Sequence, residues 1–274
     1  MLSLSVFDCR VQIWCEDTET YALLAANYGA VQRDCTRADL HYYVSRTTTD
    51  LPFLIKKKDQ PPLSASNKSE FLFLFEKDLT IALQKLRKDL YFIHAAVLEF
   101  EEAALMLVAP SGSGKSLTTW ALLHHGFHYL SDELGPIDLK TLQVLPYPHA
   151  LCLKDMPPSW CPLPAETLFT PNTLHLPTIT LPNLSKKKAI PLTTVFFLQY
   201  CPEAAQPYIQ LISKAEAAAR LFANALNPLA HLGEGLDGAI AIATQSVGFQ
   251  LLSADLSATC ALVKATMQQR PHRS

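Results

Sequence analysis

The chain has 274 residues, 49% of them hydrophobic, and 23 lysines and arginines balance 25 acids for a formal charge of −2. Such a near-neutral mixture gives no global basic field and does not imply a nucleic-acid partner. The longest apolar runs, 103–109 and 71–75, are far shorter than the roughly 20 residues of a membrane helix, so no membrane association is expected.

The opening residues Met1–Asp8 carry no cationic segment ahead of their acid, which argues against a secretory signal and makes the cytoplasm the expected compartment. Seven cysteines with no close Cys-x-x-Cys pair suggest neither a disulfide framework nor a zinc site. Alternation over 2–14 predicts strands, and 18–28 predicts a helix closed by Gly29. Short strands are expected at 40–44 and 53–55, followed by an exposed loop over the lysine, proline and serine stretch 56–69. Residues 71–75 read as a further strand, and Asp78 as the cap of a helix carrying Leu79, Leu83 and Leu86 on one face.

Two apolar strands, 91–100 and 103–109, flank Glu101-Glu102 in the pattern of a hairpin. The second strand runs into Ala109-Pro110-Ser111-Gly112-Ser113-Gly114-Lys115-Ser116-Leu117, and 117–123 continues as a helix stopped by Gly126. This reads as a phosphate-binding loop. The glycines let backbone N–H groups turn inward around phosphate oxygens, Lys115 reaches the β and γ phosphates, and the Ser116 hydroxyl is suited to magnesium. The helix start adds its dipole. Ala109 stands where the full pattern has glycine.

A short strand over 127–130 then ends at Ser131-Asp132-Glu133. Strand carboxyl ends are where open α/β sheets place ligand groups. With one helix between them, this strand and the one before the loop are expected side by side, bringing Asp132 and Ser116 to one magnesium ion. Asp132 would hold the metal directly or through water, or take the proton of an attacking hydroxyl, and the sequence leaves these roles open. Glu133 adds a second carboxylate whose side of the strand depends on where the chain turns.

His94 alternates with apolar Phe92, Ala96 and Leu98, a pattern that by itself describes a core histidine. His124, His125 and His128 straddle a helix end without the spacing of a metal site. Lys154 and Arg220 are the cations available to a transferring phosphoryl group or a substrate. The prolines clustered over 146–191 predict an irregular segment, with 155–190 substrate-facing or mobile. Strands at 192–199 and 247–252 and helices at 214–226 and 258–267 complete the chain.

Taken together, His94-Ala95-Ala96-Val97, the hairpin, Ser111–Ser116 and Leu130-Ser131-Asp132-Glu133 resemble the C-terminal catalytic domain of the HPr kinase/phosphorylase family, particularly its shorter HPr-kinase-related members. The resemblance covers about residues 88–260, with weaker matches at 146–154 and 194–198. It implies an α/β P-loop kinase domain with a mixed sheet, akin to phosphoenolpyruvate carboxykinases, over 86–274, while the pattern of strands and a helix before it reads as a small β-rich α+β region over 1–85. It also implies ATP- and magnesium-dependent phosphorylation of a serine hydroxyl on a peptide or small protein. Lys115 carries over as phosphate binder, Ser116 as magnesium ligand, Asp132 as base or metal partner, and His94 as a neighbour of the catalytic aspartate.

The family's usual Asp-Asp pair is Asp132-Glu133 here. The family's later glycine-rich signature and basic catalytic loop have no clear counterpart, so neither HPr as substrate nor phosphorylase activity is implied. Two other functions fit the same residues: a catalytically weak ATP-binding scaffold, and a carboxykinase-like enzyme acting on a small acid. Self-association is left open.

Overall fold

The computed structural model describes residues 1–47 and 52–269. The chain is a mixed α/β structure with several sheets and six α-helices among the described residues. It divides into two compact units. The first comprises Met1–Arg87, Tyr147–Asp155 and Leu163–Thr180, and the second Lys88–Pro146, Met156–Pro162 and Leu181–Ser274.

In the first unit, β1 (Leu2–Val6) and β2 (Cys9–Cys15) form a hairpin. Its turn residues Phe7 and Asp8 are both left-handed, the backbone twist that two-residue hairpin turns favour. Helix α1 (Thr18–Tyr28) is capped by the Asp17 carboxylate, which accepts from Thr20 N. Gly29 does not stop this helix with a left-handed turn as expected. Its φ of −56° is right-handed, and a 3-10 turn carries on to Val31. Strands β3 (Leu40–Arg46), β4 (Phe53–Lys57) and β5 (Leu63–Ala65) complete a five-stranded sheet ordered β1-β2-β3-β4-β5.

Helix α2 (Lys68–Leu86) corrects three expectations. Residues 71–75 are helical rather than a strand. The exposed loop over 56–69 is shortened at both ends, by β4 and by the helix start, and holds β5 between. Asp78 lies in mid-helix, where its Oδ2 accepts from Tyr42 Oη and Lys57 Nζ, both at 2.6 Å. The cap is Asn67, whose side chain accepts from Glu70 N, while the Glu70 carboxylate reaches back to Ser66 N. Such reciprocal bonding marks a helix start. Phe71, Phe75, Leu79 and Leu83 recur every four residues and are fully buried, whereas Phe73 is exposed.

The second unit contributes β6 (Leu90–Ile93), β7 (Ala95–Phe100), β8 (Ala103–Val108), α3 (Lys115–Leu123), β9 (His128–Ser131), β10 (Gly135–Asp138) and β11 (Gln143–Val144). The first unit then resumes with β12 (Leu151–Leu153), β13 (Leu168–Phe169) and β14 (Leu174–Leu176), a small sheet ordered β12-β14-β13. The proline-rich segment is therefore partly structural: Leu174, His175, Leu176 and Thr178 are all buried. The second unit closes with β15 (Ile190–Tyr200), β16 (Tyr208–Leu211), α4 (Lys214–Ala223), α5 (Leu236–Gln245), β17 (Val247–Ser253) and α6 (Leu256–Gln268).

Its nine-stranded sheet follows β6-β10-β11-β15-β8-β7-β9, with β17 parallel to β15 and β16 antiparallel to β17. Strand β8 is parallel to β15 and antiparallel to β7, and β7 is antiparallel to β9. Two expectations change here. The strand foreseen at 91–100 breaks at His94, β6 pairing with β10 and β7 with β8 and β9. The strands leading to Lys115 and Asp132 are not neighbours, because β7 lies between β8 and β9. Two antiparallel steps still leave β8 and β9 running the same way, so their carboxyl ends meet at one edge. Val97, Met106, Val195 and Phe197 pack with Ala217 and Leu221 of α4 and Ile242 of α5 in one buried cluster. Leu105 and Leu107, alternating with Met106 and Val108, are buried on the opposite face.

Candidate functional site

The site grows from the β7–β8 hairpin. Glu101 and Glu102 close it in left-handed conformations, which sets the register that pairs Ala95 with Val108. Strand β8 is held between β7 and β15 and delivers a glycine-rich turn at a fixed place. Ala109 is buried and lies outside the left-handed region, so this position makes no glycine-only demand. Gly112 and Gly114 have φ of +86° and +80°, conformations that do require glycine. Space around both is open, so the requirement comes from backbone conformation rather than crowding.

Gly114 is the N-cap of α3 and supplies no side chain to its first turn. The first intrahelical bond runs from Thr118 N to Gly114 O at 2.8 Å. The preceding amides, through Lys115, Ser116 and Leu117, therefore belong to the helix end, where a partial positive charge gathers. Ser111 and Gly112 are exposed and Ser113 half-buried. Farther along α3, the Trp120 indole is buried and donates to Cys161 O at 2.9 Å.

Lys115 turns inward, with only 4% of its side chain exposed. Its Nζ lies 3.0 Å from His94 Nε2 and 3.2 Å from Glu133 Oε1. His94 sits at the break between β6 and β7, where its backbone N donates to Asn224 O at 2.9 Å. Its Nε2 is 2.5 Å from Glu133 Oε2. Burial disfavours the charged form of Glu133, but the His94 hydrogen bond and the Lys115 charge outweigh it and lower its carboxyl from 4.5 to about 2. Glu133 is thus an anion across the physiological range, and His94 donates to it.

Asp132 is 1% exposed and accepts from Ser116 Oγ through Oδ2 at 2.6 Å. The two adjacent acids part because the chain turns sharply between them. Glu133 has a φ of +64°, and Leu134 N donates to Asp132 O at 2.8 Å across it. One carboxylate consequently meets Ser116 and the other meets Lys115 and His94.

Of the residues singled out in the sequence, His94, Lys115, Ser116, Asp132 and Glu133 come together at this edge, beside Ser111, Gly112, Ser113, Gly114 and Leu117. His94 Nε2 lies against both Glu133 Oε2 and Lys115 Nζ. Lys154 belongs to the first unit and is exposed after β12. Arg220 pairs with Glu216 at 2.7 Å, donates to Gln250, and lies 5.4 Å above the Phe197 ring. Phe197 is the β15 partner of Val108, at the root of the glycine-rich turn. The sequence reading missed Gln250, the side chain that fixes Arg220, because nothing in their spacing links a strand to a helix so far away in the chain.

Of the three helix-end histidines, His128 begins β9 and is exposed. His124 packs edge-on to Trp120 and His125 edge-on to Trp160, and burial lowers the pKa of both. Among the described residues, no group of three or more histidines, cysteines and acids is placed to hold a metal. The donor set at Ser116 and Asp132 is instead two hard oxygens. That fits magnesium, which keeps several waters and takes the rest of its shell from phosphate oxygens.

No family model matches the chain, and no curated protein matches it. Among solved structures, it is similar to the Hpr(Ser) kinase/phosphatase of Coxiella burnetii, at 10% identity and a TM-score of 0.33, over 65% of this chain and 97% of that one. No described helix is long and apolar enough to cross a membrane.

Proposed function

We propose that the second unit is a serine kinase that transfers a phosphoryl group from ATP to a serine hydroxyl of a peptide or small protein. The observation that carries this reading is the convergence at the start of α3: a glycine-rich turn, a buried lysine, and a serine hydroxyl bonded to a buried aspartate. Helix-start amides and Lys115 suit the phosphates, whose negative charge both would offset. Magnesium, held by Ser116 and Asp132, would neutralise charge on the transferring group.

Asp132 orients the acceptor serine and takes its proton. The new bond forms between the serine oxygen and the γ-phosphorus. The bond from that phosphorus to the bridging oxygen breaks, and its electron pair leaves with ADP. Arg220 is the arginine candidate for the developing charge, since it stands over the strand beside the loop. Serine as the acceptor and a peptide as its carrier come from the family resemblance.

The test combines purified protein, ATP, magnesium and candidate peptides encoded by neighbouring genes, with phosphoserine read by mass spectrometry. Asp132→Asn should lower transfer by about 10² to 10⁴-fold, the range of a lost general base, while ATP binding persists. Wild type that binds ATP tightly yet modifies no peptide would sink the kinase reading. Partner affinity that responds to ATP equally in both proteins would favour a scaffold.

A further inference from the structure

Glu133 contributes more to this edge than a second acid beside Asp132. Its two oxygens are divided between His94 Nε2 at 2.5 Å and Lys115 Nζ at 3.2 Å, so the ammonium expected to meet phosphate already faces a carboxylate of its own chain. We infer that Glu133 is an internal competitor of nucleotide, and that phosphate binding at Lys115 proceeds by displacing its carboxylate. The inference rests on the nucleotide-binding reading above and concerns how that site is regulated.

Burial decides which partner yields. The Lys115 side chain is 4% exposed and that of Glu133 is 50% exposed. A buried ammonium must keep an anion beside it, because burying a charge without a partner is strongly disfavoured. A half-exposed carboxylate can instead exchange its partner for water at little cost. Lys115 therefore stays while Glu133 leaves, and a phosphate takes over the pairing. His94 works against the exchange. It holds the second carboxylate oxygen of Glu133, and its own backbone is fixed by Asn224 O. The competition applies to ligands that need Lys115, those with β or γ phosphates, and does not apply to a monophosphate.

The experiment measures Kd for ATP, ADP and AMP by calorimetry on the full chain, for wild type, Glu133→Gln and Glu133→Asp, with thermal melts to confirm folding. Glu133→Gln keeps the shape and loses the charge. It should bind ATP and ADP about tenfold more tightly, within the usual span of site-to-site coupling, with AMP unchanged. Glu133→Asp keeps the charge on a shorter arm and should shift in the same direction. A Glu133→Gln protein that binds ATP no better than wild type overturns the inference. So does a gain shared equally by AMP, which would signify a general structural effect, or a Glu133→Asp protein identical to wild type, which would signify diffuse charge. In each of those cases wild-type ATP binding leaves the nucleotide reading standing, whereas absence of ATP binding in all three proteins removes both.

Discussion

Lys115 and Gly114 are adjacent, but their substitution should fail in different ways. Lys115→Met removes the buried cation assigned to phosphate in the proposed function, and ATP affinity is expected to fall about 100-fold, or ~2.8 kcal/mol. Titration calorimetry on a variant shown to be folded checks this, and an unchanged Kd would remove Lys115 from the site. Gly114→Ala adds a methyl group to open space at a φ of +80°. Its cost should be the left-handed backbone penalty alone, about 1 to 2 kcal/mol in urea unfolding. A larger loss would reveal crowding that the geometry does not show.

At the scale of elements, α2 shows what the sequence made legible and what it hid. Phe71-Leu72-Phe73-Leu74-Phe75 is a continuous apolar run, and short runs of that kind do not distinguish strand from helix. The helix is decided by features on either side of the run: the Asn67 cap before it and the recurrence of Leu79 and Leu83 beyond it. Asn67→Ala should cost about 1 kcal/mol, and Phe75→Ala about 3 to 5 kcal/mol through the cavity it leaves. Chemical denaturation distinguishes the two. A near-zero effect at Phe75 would contradict its place among the fully buried side chains.

The hairpin, the turn and α3 were readable because their signals are local: two acids between apolar strands, then glycines before a lysine. Asp132 was readable as a strand-end acid. The contacts of His94 with Lys115 and Glu133 were not, since they depend on where β6 breaks and on the left-handed turn at Glu133. The position of β7 between β8 and β9 was hidden for the same reason, strand order being a matter of pairing rather than of periodicity.

For the whole molecule, stability should carry the imprint of Glu133. Its carboxyl is lower in the folded state than in the unfolded chain, so its contribution is fully present above about 4.5 and is lost as pH falls toward about 2. The melting temperatures of wild type and Glu133→Gln should therefore differ most above pH 4.5 and converge by about pH 2. A gap that stayed constant through that window would show that charge on Glu133 is not what stabilises the fold.

Chain connectivity gives a second expectation at this scale. The first unit draws Tyr147 and His149 from well beyond Arg87; His149 Nε2 meets Glu76 Oε1 at 3.0 Å, and the Tyr147 ring lies 5.5 Å from that of Phe7. A fragment of residues 1–87 lacks both, together with β12, β13 and β14. It should melt without a cooperative transition in circular dichroism, and a sharp two-state melt would show the segment to be self-sufficient.

Trp120 gives the protein an intrinsic optical reporter. Its indole lies on the helix that begins with Lys115, shielded from water and tethered to Cys161 O. Replacing Trp14 and Trp160 by phenylalanine would leave it as the single indole emitter. Its emission wavelength and quenching would then follow movement in α3 as phosphate-bearing compounds are added, with no dye attached near the glycines.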